Sequence, residues 1–176
     1  MKDFIKNRWK VILFVIILIV ILLIIYFVFK KVSFAKQEYV GNYYKVVYDG
    51  SWRGNTKDDN LILNHRKSKG TINIYYKLLD NELIDVNLED IISDIISSLN
   101  EQNDGYKMIS KVHKNDKYDS YYLIYEKDND QSMVSIFKQD NVLVFVVYNN
   151  SSDYFDIVMD SVDSIIDSLE IFSGER

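Results

Sequence analysis

A chain of 176 residues with a hydrophobic fraction of 48% has room for one folded domain of ordinary core content. It contains no cysteine, which excludes a disulfide framework, a thiol nucleophile and a thiolate metal site. Its net charge of −5 is unevenly held, because residues 1–31 carry six Lys/Arg and one Asp and leave 15 basic and 25 acidic residues beyond them. A remainder with a net charge of about −10 should be repelled by nucleic acid and by anionic headgroups, so no nucleic-acid partner is expected.

Residues 1–10 form a short basic tail holding Lys2, Lys6, Arg8 and Lys10. From Val11 to Phe29 the chain then runs for nineteen residues without a charge or a strongly polar group. At about 1.5 Å per residue a helix over residues 11–29 spans roughly 28 Å, close to the ~30 Å hydrocarbon core of a bilayer. Trp9 at one end and Tyr26, Phe27 and Phe29 at the other suit the two interfaces. The run is expected to be a transmembrane helix, which makes the membrane the first expected partner. Four cations before it against Lys30, Lys31 and Lys36 after it give a weak positive-inside bias. A basic start followed by an apolar run reads as a signal-anchor that leaves the remainder outside the cytoplasm. A cleaved signal peptide, using Ser33 and Ala35 as its small residues, is the alternative, but the run exceeds the roughly 7–15 residues of such cores.

Residues 30–42 read as a juxtamembrane linker, 43–172 as an extracytoplasmic domain and 173–176 as a tail. Residues 43–48 are a predicted strand, ended by Asp49-Gly50-Ser51. Residues 60–64 and 71–77, separated by the polar stretch 65–70, read as a hairpin. Within it Ile72, Ile74 and Tyr76 alternate with Asn73 and Tyr75, giving one core face and one wetter face. Leu88, Ile91, Ile92, Ile95, Ile96 and Leu99 recur at helical spacing, with Asn87 as N-cap and Glu89 and Asp90 near the positive end of the dipole. Four predicted strands follow at 106–113, 118–126, 132–138 and 142–148, joined by short polar connections, so an antiparallel meander is expected. Residues 142–148 are apolar at every position, which predicts a central strand covered on both faces. Phe155, Val158, Met159, Val162, Ile165, Ile166 and Leu169 predict a closing helix, capped by Ser152 or Asp153. Asp156, Asp160, Asp163 and Asp167 would line its solvated side. The expected fold class is α+β: an N-terminal transmembrane helix, then a mostly antiparallel sheet of about seven strands covered by two amphipathic helices.

The stretch Tyr44-Lys45-Val46-Val47-Tyr48-Asp49-Gly50-Ser51-Trp52 looks like the opening strand, turn and tryptophan of the PsbP-like family. The final helix, with Phe155, Ile157, Ser161, Ile165 and Ser168, is similar to that family's closing helix. The order of elements over residues 43–172 resembles the family's α-β-α sandwich, although the proline that commonly precedes its tryptophan is missing. The resemblance implies an antiparallel-sheet sandwich, often exported and membrane-attached in bacteria, that serves docking and assembly. It carries no functional residue over, because one such fold serves unrelated partners.

Candidate chemistry is sparse. There is no Gly-x-Ser-x-Gly motif, and the two histidines, His65 and His113, stand at predicted strand ends beside lysines and read as solvated. Asp128-Asn129-Asp130-Gln131-Ser132 imitates the start of a calcium loop, but Met133 replaces the required glycine and Gln139 the required glutamate. A hairpin turn is expected there. Six scattered glycines form no phosphate cradle, and nothing singles out a pair among 26 acidic residues. No catalytic, cofactor-binding or metal residue is assigned, and no cofactor is expected. The unusual feature is fourteen tyrosines, including the adjacent pairs Tyr43-Tyr44, Tyr75-Tyr76 and Tyr121-Tyr122. Strand alternation sends one ring of each pair to each face, so the outer rings and Trp52 could serve recognition. The plainer account is that strands take half-buried tyrosines by β-propensity.

The expected function is a membrane-anchored, non-enzymatic binding or assembly module with a protein partner of unknown identity. One alternative is a cell-envelope hydrolase with two carboxylates about 5–10 Å apart in a concave pocket. The other is a sensor or immunity-type surface protein that captures a peptide along an open sheet edge flanked by tyrosines.

Overall fold

The computed structural model describes residues 15–26, 35–101 and 105–173. Helix α1 covers residues 15–26, and every one of its side chains is exposed, Leu22 at 57%. It adds nothing to the core. Among the described residues no helix is long and apolar enough to cross a membrane. The other positions of the apolar run, 11–14 and 27–29, lie outside the described residues.

Two sheets build the domain. The larger has seven strands, all antiparallel to their neighbours, in the order β3 (Trp52–Lys57), β4 (Asn60–His65), β5 (Thr71–Leu78), β9 (Val142–Ser151), β8 (Asp130–Gln139), β7 (Asp119–Lys127) and β6 (Lys107–Asn115). The smaller joins β1 (Gln37–Val40), β2 (Tyr44–Tyr48) and β10 (Glu170–Ile171), with β2 in the middle. Helix α2 (Leu88–Glu101) and helix α3 (Ser152–Asp167) complete it, with one 3-10 turn at Asn81–Leu83.

The all-apolar strand behaves as its composition requires. β9 is the middle strand of the seven, and its residues face two cores by turns. Val142, Val144, Val146 and Tyr148 pack with Ile72, Ile74, Leu61 and Leu63 against α3 and the small sheet, through Phe155, Val158, Val162, Tyr44 and Val46. Leu143 and Phe145 pack on the opposite face with Leu123, Ile136 and the α2 residues Leu88 and Ile92. At about 25 cal/mol per Å², burial on both faces is what fixes this strand's place. The result is an α-β-α sandwich.

Several expectations need correction. The first predicted strand is not part of the seven: β2 crosses over the main sheet, and its inward Tyr44, Val46 and Tyr48 cap the α3 side. The seventh place belongs to β3, which the sequence pattern does not predict because Arg53, Gly54, Asn55, Thr56 and Lys57 have no apolar alternation. It forms because two residues with positive φ, Asp58 at 50° and Asp59 at 60°, close a two-residue hairpin into β4. Gln37–Val40, read as linker, pairs with β2. The N-cap of α3 is Ser151, without a side-chain cap bond, rather than Ser152 or Asp153. Asn87 does cap α2, accepting the Glu89 N–H at 3.1 Å.

Candidate functional site

The aromatic residues singled out for recognition are mostly structural. Trp52 is fully buried, its Nε1 donating to Ser161 Oγ at 2.8 Å and its ring edge-on to Tyr148 at 6.5 Å. Both rings of Tyr43-Tyr44 are buried. Tyr75 lies flat on Phe145 at 4.9 Å, and Tyr76 packs on Tyr43 at 4.6 Å. Alternation does send the rings of Tyr75-Tyr76 and Tyr121-Tyr122 to opposite faces, but the sheet is covered on both, so each direction leads into a core, whereas Tyr43 and Tyr44 share one core.

Neither histidine is simply solvated. His65 is half-buried against Trp52 at 5.0 Å, and its Nδ1 accepts the Ser68 N–H at 3.1 Å. Burial lowers its pKa, with a further push from Lys67. His113 is exposed but engaged: Nε2 lies 2.6 Å from Asp119, and the ring stacks on Tyr121 at 4.5 Å. The neighbouring Ser120 donates its hydroxyl to the Lys114 carbonyl at 3.2 Å rather than to the histidine. Asp128 and Asn129 form the turn between β7 and β8, with Asp128 at φ 52°. Among the described residues no three His, Asp or Glu gather as a metal site.

What the sheet does leave open is its edges. No described strand pairs with the outer side of β3 or β6. β3 shows solvent only polar side chains after Trp52. β6 is longer, nine residues, and carries Ile109 and Val112 exposed at 48% and 44%. Lysines on an edge strand ordinarily keep other strands away. Here two of them fold back over the sheet. Lys111 Nζ sits 5.0 Å from the ring of Tyr121 on the α2 side, and Lys114 Nζ sits 4.6 Å from that of Tyr122 on the α3 side. A bulge between Met108 and Ser110 bends the start of the strand. From Ser110 to Asn115 the register with β7 is regular, so alternate residues turn their backbone N–H and C=O outward.

At the hairpin end of this edge lies a cleft of about 170 Å³, lined by Lys114, Lys117, Tyr118, Tyr122, Phe137 and Ile166 with Asp116 and Asp167. Tyr118 and Tyr122 both meet Phe137 edge-on, at 6.4 and 5.8 Å. Burial raises the Tyr122 pKa, and Asp163, Asp167 and Asp116 add to it. Lys117 Nζ donates to the Leu169 carbonyl at 2.6 Å and latches the hairpin to the end of α3. The sequence carried one trace of this edge: residues 107–115 hold three lysines and a histidine among few apolar positions, an edge-strand composition. It held none of the folding-back of Lys111 and Lys114, which depends on the β6–β7 register.

No protein-family model matches the sequence, and no curated protein matches it significantly. Solved structures do share the architecture. Cyanobacterial PsbP from Synechocystis matches with a TM-score of 0.61 and 15% identity, over 78% of this chain and 93% of its own. LpqN of Mycobacterium tuberculosis, described as involved in cell envelope biogenesis, matches at 0.52 and 10% identity, over 78% and 90%. A Pseudomonas aeruginosa protein of unknown function, described as a putative regulator, matches at 0.51 and 10%, over 74% and 93%. Identities this low speak for the fold alone. The chain has a PsbP-like fold.

Proposed function

We propose that this protein is a non-enzymatic docking module, tethered to the membrane by residues 11–29 and facing outside the cytoplasm. It binds its partner by adding an extended segment of that partner to the β6 edge. The observation that carries this reading is the edge from Ser110 to Asn115: its register is regular, Val112 is exposed, and Lys111 and Lys114 are drawn aside over Tyr121 and Tyr122. Backbone pairing supplies affinity, and the cleft beside Tyr118 and Tyr122 offers a place for one partner side chain. Among the similar structures, LpqN is described in terms of the cell envelope, which accords with an extracytoplasmic role. The hydrolase alternative finds two carboxylates in the cleft, Asp116 and Asp167, but about 170 Å³ falls well below the ~300 Å³ at which ligand pockets begin. A more open hollow of about 460 Å³ beside the β3–β4 turn holds Asp58 and Asp59, where Asp59 accepts from Asn42 Nδ2 at 2.8 Å.

A photoreactive residue at Val112 of the full chain, in intact cells, tests the reading. A discrete adduct is expected there and none at Ile157, an apolar α3 position exposed at 74%. Equal labelling at both, or none at Val112, overturns it. External protease on intact cells should remove the domain; full protection would refute the orientation.

A further inference from the structure

The domain is acidic in sum, but four of its cations cluster at one end of the sheet. One end of the strands carries Asp58 and Asp59 in the β3–β4 turn, Asp140 in the β8–β9 turn, and Asp116 and Asp167 at the hairpin cleft, with Lys57, Lys114 and Lys117 among them. The opposite end carries the β4–β5 loop, where Arg66, Lys67 and Lys69 are all exposed, with Arg53 beside them through its pairing with Asn64. None of these four cations is in an ion pair among the described residues. Asp49, the nearby acid, is engaged by the N–H and hydroxyl of Ser51. Asp128 shares this end but sits in the β7–β8 turn. Asp130 lines a hollow with Lys69, and Lys107 and Lys127 stand at this end on the β6–β7 side, so the cluster of four cations marks the β3–β5 flank.

The loop that presents them is held firmly. The His65 N–H donates to the Gly70 carbonyl at 2.9 Å, the Gly70 N–H to Ser68 Oγ at 3.0 Å, and Asn150 Nδ2 to Ser68 Oγ at 3.2 Å. Its position matters most. Gln37 pairs with Tyr48, so the chain enters the domain beside the Asp49–Ser51 turn, and the Arg66 N–H donates to the Ser51 carbonyl at 2.9 Å. The cationic flank therefore lies where the chain arrives from residues 11–29. Only seven residues separate Phe29 from Gln37, and the eight steps between them span at most about 29 Å when extended. Three of the residues between, Lys30, Lys31 and Lys36, are also basic.

We propose that Arg53, Arg66, Lys67 and Lys69 dock the domain onto anionic phospholipid headgroups of the membrane that anchors it, which points the acidic end and its turns away from the bilayer. The proposal rests on the tethered reading above. Each cation gains within a Debye length, about 8 Å, of an anionic surface, and the acidic end is repelled by that same surface.

The absence of cysteine allows single labelling sites. A fluorophore is placed at Asn64→Cys, beside the flank, or at Glu82→Cys, in the 3-10 turn near the other end. The full chain is reconstituted in vesicles of phosphatidylcholine alone or mixed with phosphatidylglycerol, each with a headgroup-borne quencher. Quenching at residue 64 is expected to be about fivefold stronger in the mixed vesicles and to fall with added salt, while residue 82 stays unquenched. The double variant Arg66→Glu, Lys67→Glu should abolish the difference, and Lys77→Glu, away from the flank, should keep it. Equal quenching in the two lipid mixtures, with the protein floating with both, overturns the docking and leaves the tether standing. Failure to float after a high-salt wash removes both readings. Quenching that follows protein density at fixed lipid composition marks contact between copies and also overturns the proposal.

Discussion

Tyr44 is fully buried, yet its hydroxyl is satisfied: it donates to the Ile74 carbonyl at 2.9 Å and accepts the Leu61 N–H at 3.2 Å. That phenol ties β2 of the small sheet to two strands of the large one, and burial holds its pKa far above the ordinary value. Tyr44→Phe leaves two buried backbone groups short of a partner and should cost about 1–3 kcal/mol in urea unfolding. His65 gives a pH dependence. Burial lowers its pKa in the folded state, so the unfolded chain binds the extra proton first, and stability present above the unfolded value of about 6.5 is lost as pH falls. His65→Gln should flatten the urea midpoint between about pH 5 and 7 relative to the parent, and an unchanged slope would refute this assignment.

Among the elements, β9 and α2 mark two extremes. β9 is covered on both faces and paired on both sides, so its amides should exchange with solvent only on global unfolding. α2 is attached through one stripe, with Leu88 and Ile92 fully buried, and starts from a single side-chain cap at Asn87. Asn87→Ala should cost about 1 kcal/mol and speed exchange in α2 while leaving β9 protected. The β4–β5 loop depends on Gly70, where an added Cβ would lie 2.8 Å from Asn150 Nδ2, itself held by Tyr148 Oη at 2.9 Å. Gly70→Ala should destabilise the domain by about 1–2 kcal/mol in urea unfolding.

At the scale of the whole molecule, α1 and the two-sheet domain are energetically separate, because every α1 side chain is exposed and none joins either core. Removing residues 1–34 should therefore leave the urea midpoint of the domain unchanged, and a lowered midpoint would show a packing role for that segment. Net charge at this scale leaves out how the charge is distributed. A domain near −10 was expected to be repelled by anionic surfaces, but the strand order gathers its unpaired Arg53, Arg66, Lys67 and Lys69 at one end.

Periodicity is local, and what it encodes was readable without coordinates. The two helices, six of the seven large-sheet strands and the central, doubly covered place of β9 follow from spacing and polarity within each segment. The order of elements and the Tyr44-to-Trp52 stretch also pointed to the PsbP-like fold. Pairing between distant segments is not local, and there the tertiary structure decided. It placed β2 in a second sheet and β3 at an edge, and it turned Trp52 and the paired tyrosines inward because both faces of the sheet are roofed. The open β6 edge and the cationic flank are likewise products of register. Residues far apart in the chain meet there, and no window of sequence contains them together.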